Sequence, residues 1–504
     1  MSWGNRFLAA LEAQNVGPMR FVLESVGIGS YKPWGGSLSL SSHIEPGYAP
    51  VIAKSGHSIT SGELRPGGWS ASQGTLTVAL TTANNVRRNT ARGQIVQLRV
   101  GFAGWSIDEF EVVFTGQVSQ LSWAGGLWKL QVRDIVSALT SRFTETLGEV
   151  GLFHDIEAAS TTTTALYTPG NTTLAVTATS AWNANASGGY VIRMTGGAAD
   201  FYLTATGKTA TTFTGVSATG QYSTTATAVA STSTVYDAAL ISAHPIEAVR
   251  QILCSTGAGT NGDADVLPES WGMDIDKGIV DKSDMAYFER ISDIASAGGV
   301  FDILSDAEVV NPLGWMAGWL APAGYFLLQH QGQISCRAAK KPADTTRTPG
   351  WFHLTDGVIR AITSYQQWDT SYAAEYCSVK AITPGGSTTT TEAINSKPAI
   401  NLLELNLEHI HADQVAWRAA LLTRFADWHQ RIPERLVIEC AGFAAAQASA
   451  GDVIDLSTSI IKSRSSVSPV LDETPVLVLG SSVDWFGMSS SITVAILPDS
   501  ATEV

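Results

Sequence analysis

Residues Gln94–Phe143 constrain the fold of this chain more than any other stretch. IVQLRVGF (Ile95–Phe102) alternates apolar and polar side chains, the pattern of a strand with one face buried. EFEVVFTGQVSQLSW (Glu109–Trp123) continues the alternation through Gly116. Ala124-Gly125-Gly126 then supplies a tight reversal, and LWKLQVRD (Leu127–Asp134) returns as a third strand. IVSALTSRF (Ile135–Phe143) changes to helical spacing, which predicts a helix with Ile135, Leu139 and Phe143 on one side. No acid, base or nucleophile converges on this meander, so it reads as an element of assembly rather than of catalysis.

A chain of 504 residues is too long for one core and predicts about three or four domains. Charged residues make up only 15%, and the net charge is −14. That balance argues against non-specific nucleic-acid binding, which needs Lys and Arg to neutralise phosphates. It suits a wall past which DNA slides without sticking, and equally an ordinary soluble surface. Cys254, Cys336, Cys377 and Cys440 form no CxxC pair, and each sits in a stretch that reads as buried. The start, MSWGNRFLAALEAQ, has neither the basic residues nor the apolar run of a secretion signal. Val309–Leu328 is nearly uncharged over a span long enough to cross a bilayer. Pro312, Pro322, Gly314, Gly318 and Gly324 predict instead a buried strand-and-loop region with Trp315 and Trp319 exposed for a membrane or partner contact.

In chain order, Asn5–Gln14 predicts a short helix burying Phe7, Leu8 and Leu11, and Met19–Val26 the first strand. Gly27–Gly74 is loop-rich, with weak strands near Leu38–Leu40 and Val51–Ala53. Thr75–Thr81 alternates as a strand, and Asn84–Arg92 is a polar connection with three arginines. Ser160–Val235 contains three charged residues, Arg193, Asp200 and Lys208, among Thr, Ala, Ser and Gly. A disordered linker has such a composition, but the alternation in YVIRMT, DFYLTAT and TFTGVSA argues for a small all-β insert, suited to surface decoration or glycan contact. Ala243–Ser255 predicts a helix burying Ile246, Val249, Ile252 and Leu253. Ser283–Gly299 predicts another, capped by Ser283, burying Met285, Phe288, Ile291 and Ile294 and ending at Gly298-Gly299. Val300–Leu304, Gln331–Ala339, Val358–Thr370 and Ala373–Thr383 read as strands, and Gly385–Glu392 as a flexible excursion. Ala412–Arg431 predicts a long helix burying Val415, Leu422, Phe425 and Trp428. ERLVIECAG, AGDVIDLS, TPVLVLGSSVDWF and SSSITVAIL then complete a second antiparallel sheet.

The fold class expected is α+β and β-rich. Residues 1–157 form a first β domain and 158–236 a Thr/Ala/Gly-rich β insert. Residues 237–350 form an α+β middle domain, and 351–504 a second β domain carrying helix 412–431.

Candidate chemistry is sparse. EHIHAD (Glu408–Asp413) offers His409, His411 and Asp413 to a metal, but no third histidine stands at ligand spacing and Asp413 is placed to cap a helix. NGDAD (Asn261–Asp265) lacks the glycine and distant glutamate of a calcium loop and reads as a solvated turn. There is no GxSxG, HExxH or supported Cys–His pair, and Asp302, Asp306 and Glu308 form no isolated carboxylate pair. Trp34-Gly35-Gly36 and Trp123–Gly126 lack the lysine and helix of a phosphate cradle. No catalytic residue, cofactor or metal is therefore expected.

Three patterns resemble the hub proteins of bacteriophage tail tips and contractile-tail baseplates, and the tube-forming region of lambda-like central tail-tip proteins. They are FTGQVSQLSWAGGLWKLQVRD (Phe114–Asp134), MAYFERISDIASAGGVFDIL (Met285–Leu304), and the Trp417–His429 helix followed by RLVIEC and AGDVIDLS with its Gly451-Asp452 turn. The resemblance implies two tube-like antiparallel β-barrel domains per subunit, a homotrimer, and a pseudo-sixfold ring matching a sixfold tube. It implies as partners a distal tail protein ring, the C-terminal end of the tape-measure protein, and a central fibre or spike. DNA would pass through the lumen without specific binding, and contact with the host envelope would be transient. The expected location is the virion tail tip, after synthesis in the bacterial cytoplasm. Subunit contacts are expected on Gln94–Phe102, Glu109–Trp123 and Thr474–Leu497, as edges needing a neighbour. Two rivals stand beside this reading: an adhesin working through the Thr-rich insert, and a surface hydrolase dependent on His411.

Overall fold

Strong alternation draws the first strands into one sheet. The computed structural model describes residues 5–12, 19–26, 37–39, 49–50, 75–80, 95–139, 152–255, 267–291, 301–338, 353–366, 376–393, 402–407, 415–430, 434–461 and 471–496, apart from short breaks within those spans. Helix α1 (Asn5–Glu12) precedes β1 (Met19–Val26), β2 (Thr75–Leu80), β3 (Ile95–Phe102), β4 (Glu111–Ala124) and β5 (Leu127–Asp134). These strands pair antiparallel in the order β1-β3-β4-β5-β2, with short strands Ser37–Ser39 and Ala49–Pro50 beyond β1. Val96, Leu98, Val100, Phe114, Val118, Leu130 and Val132 fill its core face. The opposite face is not solvated as the alternation suggested. Gln97, Thr115 and Gln117 are buried as well, because a later hairpin docks there.

The helix expected after β5 is, over its described residues, a single turn at Ile135–Leu139. Asp134 Oδ1 accepts the Val136 N–H, Ile135, Val136, Ala138 and Leu139 are all buried, and Ser137, half-buried, turns its hydroxyl back onto the Asp134 carbonyl. Phe143 lies outside the described residues.

Between Ala159 and Asp237 the described residues form a five-stranded and a three-stranded sheet around Leu174, Ile192, Met194, Phe201, Leu203 and Phe213. Strand Ser160–Thr162 pairs with Thr234–Asp237, so the two ends of the segment lie side by side. Arg193 pairs with Asp200 at 2.6 Å, and Lys208 Nζ donates to the Thr179 and Trp182 carbonyls at 2.8 and 2.9 Å.

The middle of the chain holds α2 (Pro245–Cys254), α3 (Lys282–Ile291) and α4 (Pro312–Leu320). The cap of α3 is Asp281, whose Oδ1 accepts the Asp284 N–H at 3.0 Å; Ser283 is exposed within the first turn. Helix α4 corrects the strand-and-loop expectation. Pro312 occupies the first turn, where its missing N–H is harmless, and Asn311 caps the helix by accepting from Gly314. A Cβ at Gly318 would meet nothing. Trp319, expected at the surface, is buried against Phe301, and Trp315 is half-buried. No helix among the described residues is long and apolar enough to cross a membrane. Strands β6 (Tyr325–His330) and β7 (Gln333–Ala338) form a hairpin through Gln331 and Gly332, both at positive φ (47° and 75°), as a tight primed turn demands.

The last sheet contains β8 (His353–Thr355), β9 (Ile359–Gln366), β10 (Glu434–Cys440), β11 (Val453–Thr458), β12 (Leu471–Asp484) and β13 (Ser489–Ile496), in the order β8-β11-β12-β13-β10-β9. It is mixed rather than antiparallel, since β8 runs parallel to β11. A separate sheet joins Tyr376–Thr383 to Gly386–Ala393 and Leu402–Leu407, with α5 (Val415–Gln430) packed beside it. The Gly386–Ala393 strand replaces the expected flexible excursion. Its threonines are β-branched and stay in register from Tyr376↔Ala393 to Thr383↔Gly386. On α5, Leu422 is buried as expected, together with Trp417 and Leu421; the side chains of Val415, Phe425 and Trp428 are not described. The chain is thus a mixed α+β fold built on several sheets. Both large sheets run from one end strand to another, and no pairing among the described residues closes either into a barrel.

Candidate functional site

The two large sheets repeat one plan. Setting aside β9 and the two short strands beyond β1, the first strand (β1, β8) lies beside the third (β3, β11) in each sheet, a meander follows, and the second (β2, β10) lies beside the last (β5, β13). Strand β9 is added at the edge of the second copy. The long meander strand has 14 residues in both sheets, and the strand returning from it has 8. A bulge interrupts both long strands at the same place: Ser119 and Leu479, each the ninth residue, are the unpaired extra residues. The direction of the first strand differs, antiparallel in one sheet and parallel in the other.

The strands expected to offer edges do not. Ile95–Phe102 lies between β1 and β4, β12 between β11 and β13, and β13 between β12 and β10. Period-two patterning reports burial but not position within a sheet, and the ends fall to less patterned strands. At the last sheet these are β8 and β9, and most of β9 is exposed.

An aromatic seam joins the sheets. Phe7 of α1, Phe102 of β3, and Phe443 and Trp485 from the last sheet share one core; Phe443 stacks on Trp485 with centroids 5.1 Å apart. Arg6 lies over Trp105 at 4.3 Å. The β6–β7 hairpin docks on β4: the Thr115 N–H donates to Gln329 Oε1 at 3.1 Å, and Gln329 Nε2 donates back to the Thr115 carbonyl. Thr115 Oγ1 also donates to the Gly332 carbonyl at 2.5 Å. A Cβ on Gly332 would fall 2.5 Å from Val112 Cγ1, so space as well as φ demands glycine there.

Arg337 ties that hairpin to α3 and to the last sheet. Its guanidinium has five N–H groups, and five acceptors meet them. Nε and Nη2 grip Asp284 at 2.8 Å each, Nη1 donates to the Ala450 carbonyl at 2.9 Å and Asp452 Oδ1 at 3.1 Å, and Nη2 also reaches His330 Nδ1 at 3.0 Å. The Phe288 ring lies 4.6 Å from the guanidinium carbon. Gly451, in the Gly-Asp turn singled out in the sequence, has φ +91°, and a Cβ there would sit 3.2 Å from Phe326. Burial opposes charge on Asp284, but Arg337 outweighs it and holds the carboxyl at about 2. Burial pushes the His330 imidazole below its ordinary value; Asp284, Asp452 and Asp281 oppose that, and Arg337 adds to it. Sequence reasoning missed Arg337, Asp284 and His330. The available signal was a lone arginine within the otherwise uncharged run QISCRAA.

Asp134 is fully buried. Its Oδ1 accepts from Val136 at 2.6 Å, Oδ2 meets no donor among the described residues, and burial pushes the carboxyl up to about 7. The folded value lies above the unfolded one, so the favourable contribution is complete below the unfolded value and is lost as pH rises through about 7. Asp134→Asn removes this titration, so its stability relative to the wild type is expected to rise by about 3–4 kcal/mol from pH 4 to pH 8. Thermal unfolding across that range checks it; a gain independent of pH contradicts it.

Ser457 Oγ contacts His353 Nε2 at 2.8 Å, donates to Asp472 Oδ1 at 3.1 Å and accepts from the Glu473 N–H at 2.8 Å. Its single proton goes to the carboxylate, so the imidazole is a donor to this hydroxyl and not a base for it. Among the described residues no three His, Cys, Asp or Glu side chains are grouped to hold a metal. His409, His411, Asp413 and Asn261–Asp265 lie outside the described residues, as do Asn84–Arg92 and most of Gly27–Gly74. Cys254, Cys336 and Cys440 are buried thiols, and burial pushes Cys440 up to about 12.

No protein-family model matches the chain, and no curated protein matches it in sequence. Among solved structures, 95% of the chain aligns with 98% of the 43 kDa tail protein of prophage MuSo2 from Shewanella oneidensis, at 12% identity and TM-score 0.39. The same share aligns with 98% of a tail protein from Neisseria meningitidis MC58, at 9% and 0.38. It also aligns with 95% of prophage tail protein gp18 from Listeria monocytogenes EGD-e, at 9% and 0.37. At these TM-scores the likeness transfers neither fold nor function.

Proposed function

We propose that this chain is a structural protein of a phage-type tail: the tail-tip or baseplate hub, which closes the tube as a ring. The observation that carries this reading is the repeated strand plan, with its shared 14-residue strand and matching bulge, at the two ends of one polypeptide. Two like sheets per subunit let three copies present six around an axis, the symmetry match that the sequence resemblance implies. On this reading the ring meets the distal tail protein above, holds the tape-measure end in its bore, carries a fibre or spike below and helps gate DNA release. The net charge of −14 suits a bore that does not retain DNA. No catalytic role is assigned.

The insert stands outside the repeat, and its adjacent ends allow it to be removed. Replacing residues 160–236 with a short Gly/Ser linker is expected to leave the remaining sheets folded and ring assembly intact, because Ser160 and Tyr236 are paired neighbours. Circular dichroism and solution mass check this. Intact rings that no longer attach to cells would assign the insert to receptor or glycan binding; a variant that folds but no longer assembles contradicts the hub reading.

A further inference from the structure

Arg337 is 1% exposed in its side chain, and its fifth N–H depends on an acceptor that can be titrated. His330 Nδ1 lies 3.0 Å from Arg337 Nη2 and 3.0 Å from Ser449 Oγ. Because Arg337 can only donate, the ring presents its Nδ1 lone pair and carries its proton on Nε2. Nε2 faces Asp281 Oδ2 at 4.0 Å and Asp284 Oδ1 at 3.9 Å. The charged groups around the ring are therefore Asp281 and Asp284 at the start of α3, Arg337 on β7, and Asp452 in the turn before β11. Three segments meet at this one imidazole: the start of α3, the β6–β7 hairpin and the Ser449–Asp452 turn.

We propose that His330 is an acid-sensitive pin between the β6–β7 hairpin and the Ser449–Asp452 turn of the last sheet. A proton arriving from solvent at Nδ1 leaves the fifth N–H of Arg337 without its acceptor and places a second cation 3.0 Å from the guanidinium. The protonated Nδ1 can then donate only to Ser449 Oγ. Arg337 also holds the Ala450 carbonyl and Asp452, so its displacement loosens the turn that positions β11. The folded imidazole titrates below its ordinary value, so the stabilising contact is present at neutral pH and is lost as pH falls from the unfolded value towards the folded one. This property of the fold does not depend on the tail reading.

Hydrogen–deuterium exchange on the full chain at pH 7.5 and pH 5, corrected for intrinsic rates, tests the proposal. The Ser449–Asp452 segment is expected to lose protection about tenfold or more at pH 5. In His330→Gln, whose amide oxygen still accepts from Arg337 but does not titrate here, the loss should be under about threefold. His244, which caps α2, is held at about 4 by burial and by Arg424, so α2 also loses protection as pH falls between these values, and it should do so equally in wild type and His330→Gln. That shared α2 response shows that the variant is folded and that exchange is read alike in both proteins. An unchanged turn in the wild-type chain overturns the proposal, and so does a turn response retained in His330→Gln.

Discussion

Replacing Arg337 with methionine is expected to destabilise the protein by about 3–5 kcal/mol at neutral pH. The volume is roughly conserved, so the loss comes from charge. Asp284 would be left ionised beside Phe288 and Cys336 without the guanidinium that now keeps it charged in the interior. The double variant Arg337→Met, Asp284→Asn should recover part of the loss, because it removes the Asp284 charge but leaves buried Asp452 without its cation. Urea unfolding followed by tryptophan fluorescence measures both. A single-variant loss below about 1 kcal/mol, the ordinary worth of a surface pair, would mean that this network is not the tie between hairpin and sheet. The acid side has a defined sign. Asp284 has a folded value depressed to about 2, so its contribution is complete above its unfolded value and is lost only as pH falls through about 2.

Trp485→Ala is the second large effect, about 3–5 kcal/mol. The ring is buried between Phe443, on its own sheet, and Phe7 of α1, which belongs to the core of the first sheet. Its removal leaves a cavity at the seam itself, so the first and last sheets should lose coupling as well as stability. Unfolding should separate into two transitions where the wild-type chain shows closer cooperation between its sheets. Trp485→Phe, which keeps the stack on Phe443, should retain most of that coupling. A single transition shifted by less than about 1 kcal/mol would show that the seam carries little energy.

Much of the strand content was legible because side chains alternate where a sheet covers a core. Ile95–Phe102, Glu109–Trp123 and the closing ERLVIEC, AGDVIDLS and SSSITVAIL runs fall on observed strands. Errors arose where context overrides local pattern. Pro312 and Gly318 read as breakers, yet a proline in the first turn and a glycine facing open space cost α4 little. Ile135–Leu139 has helical spacing but, apart from half-buried Ser137, is buried in a single turn. Position within a sheet was not legible at all: β3 and β13 show the same alternation as an edge strand would, and only pairing reveals them as interior. The Arg337 network was invisible for a related reason. Asp284, Asp452 and the hairpin that carries both His330 and Arg337 come from three separated segments, and no local spacing links them.

Electron cryomicroscopy of the assembled particle tip tests most directly whether two like sheets let three copies stand for six. The first sheet (β1–β5) and the last (β8–β13) of each subunit should lie at equal radius around a common bore, related by about a sixth of a turn, with their bulges at Ser119 and Leu479 at one height. Sheets at different radii, or a last sheet turned away from the bore, would contradict it.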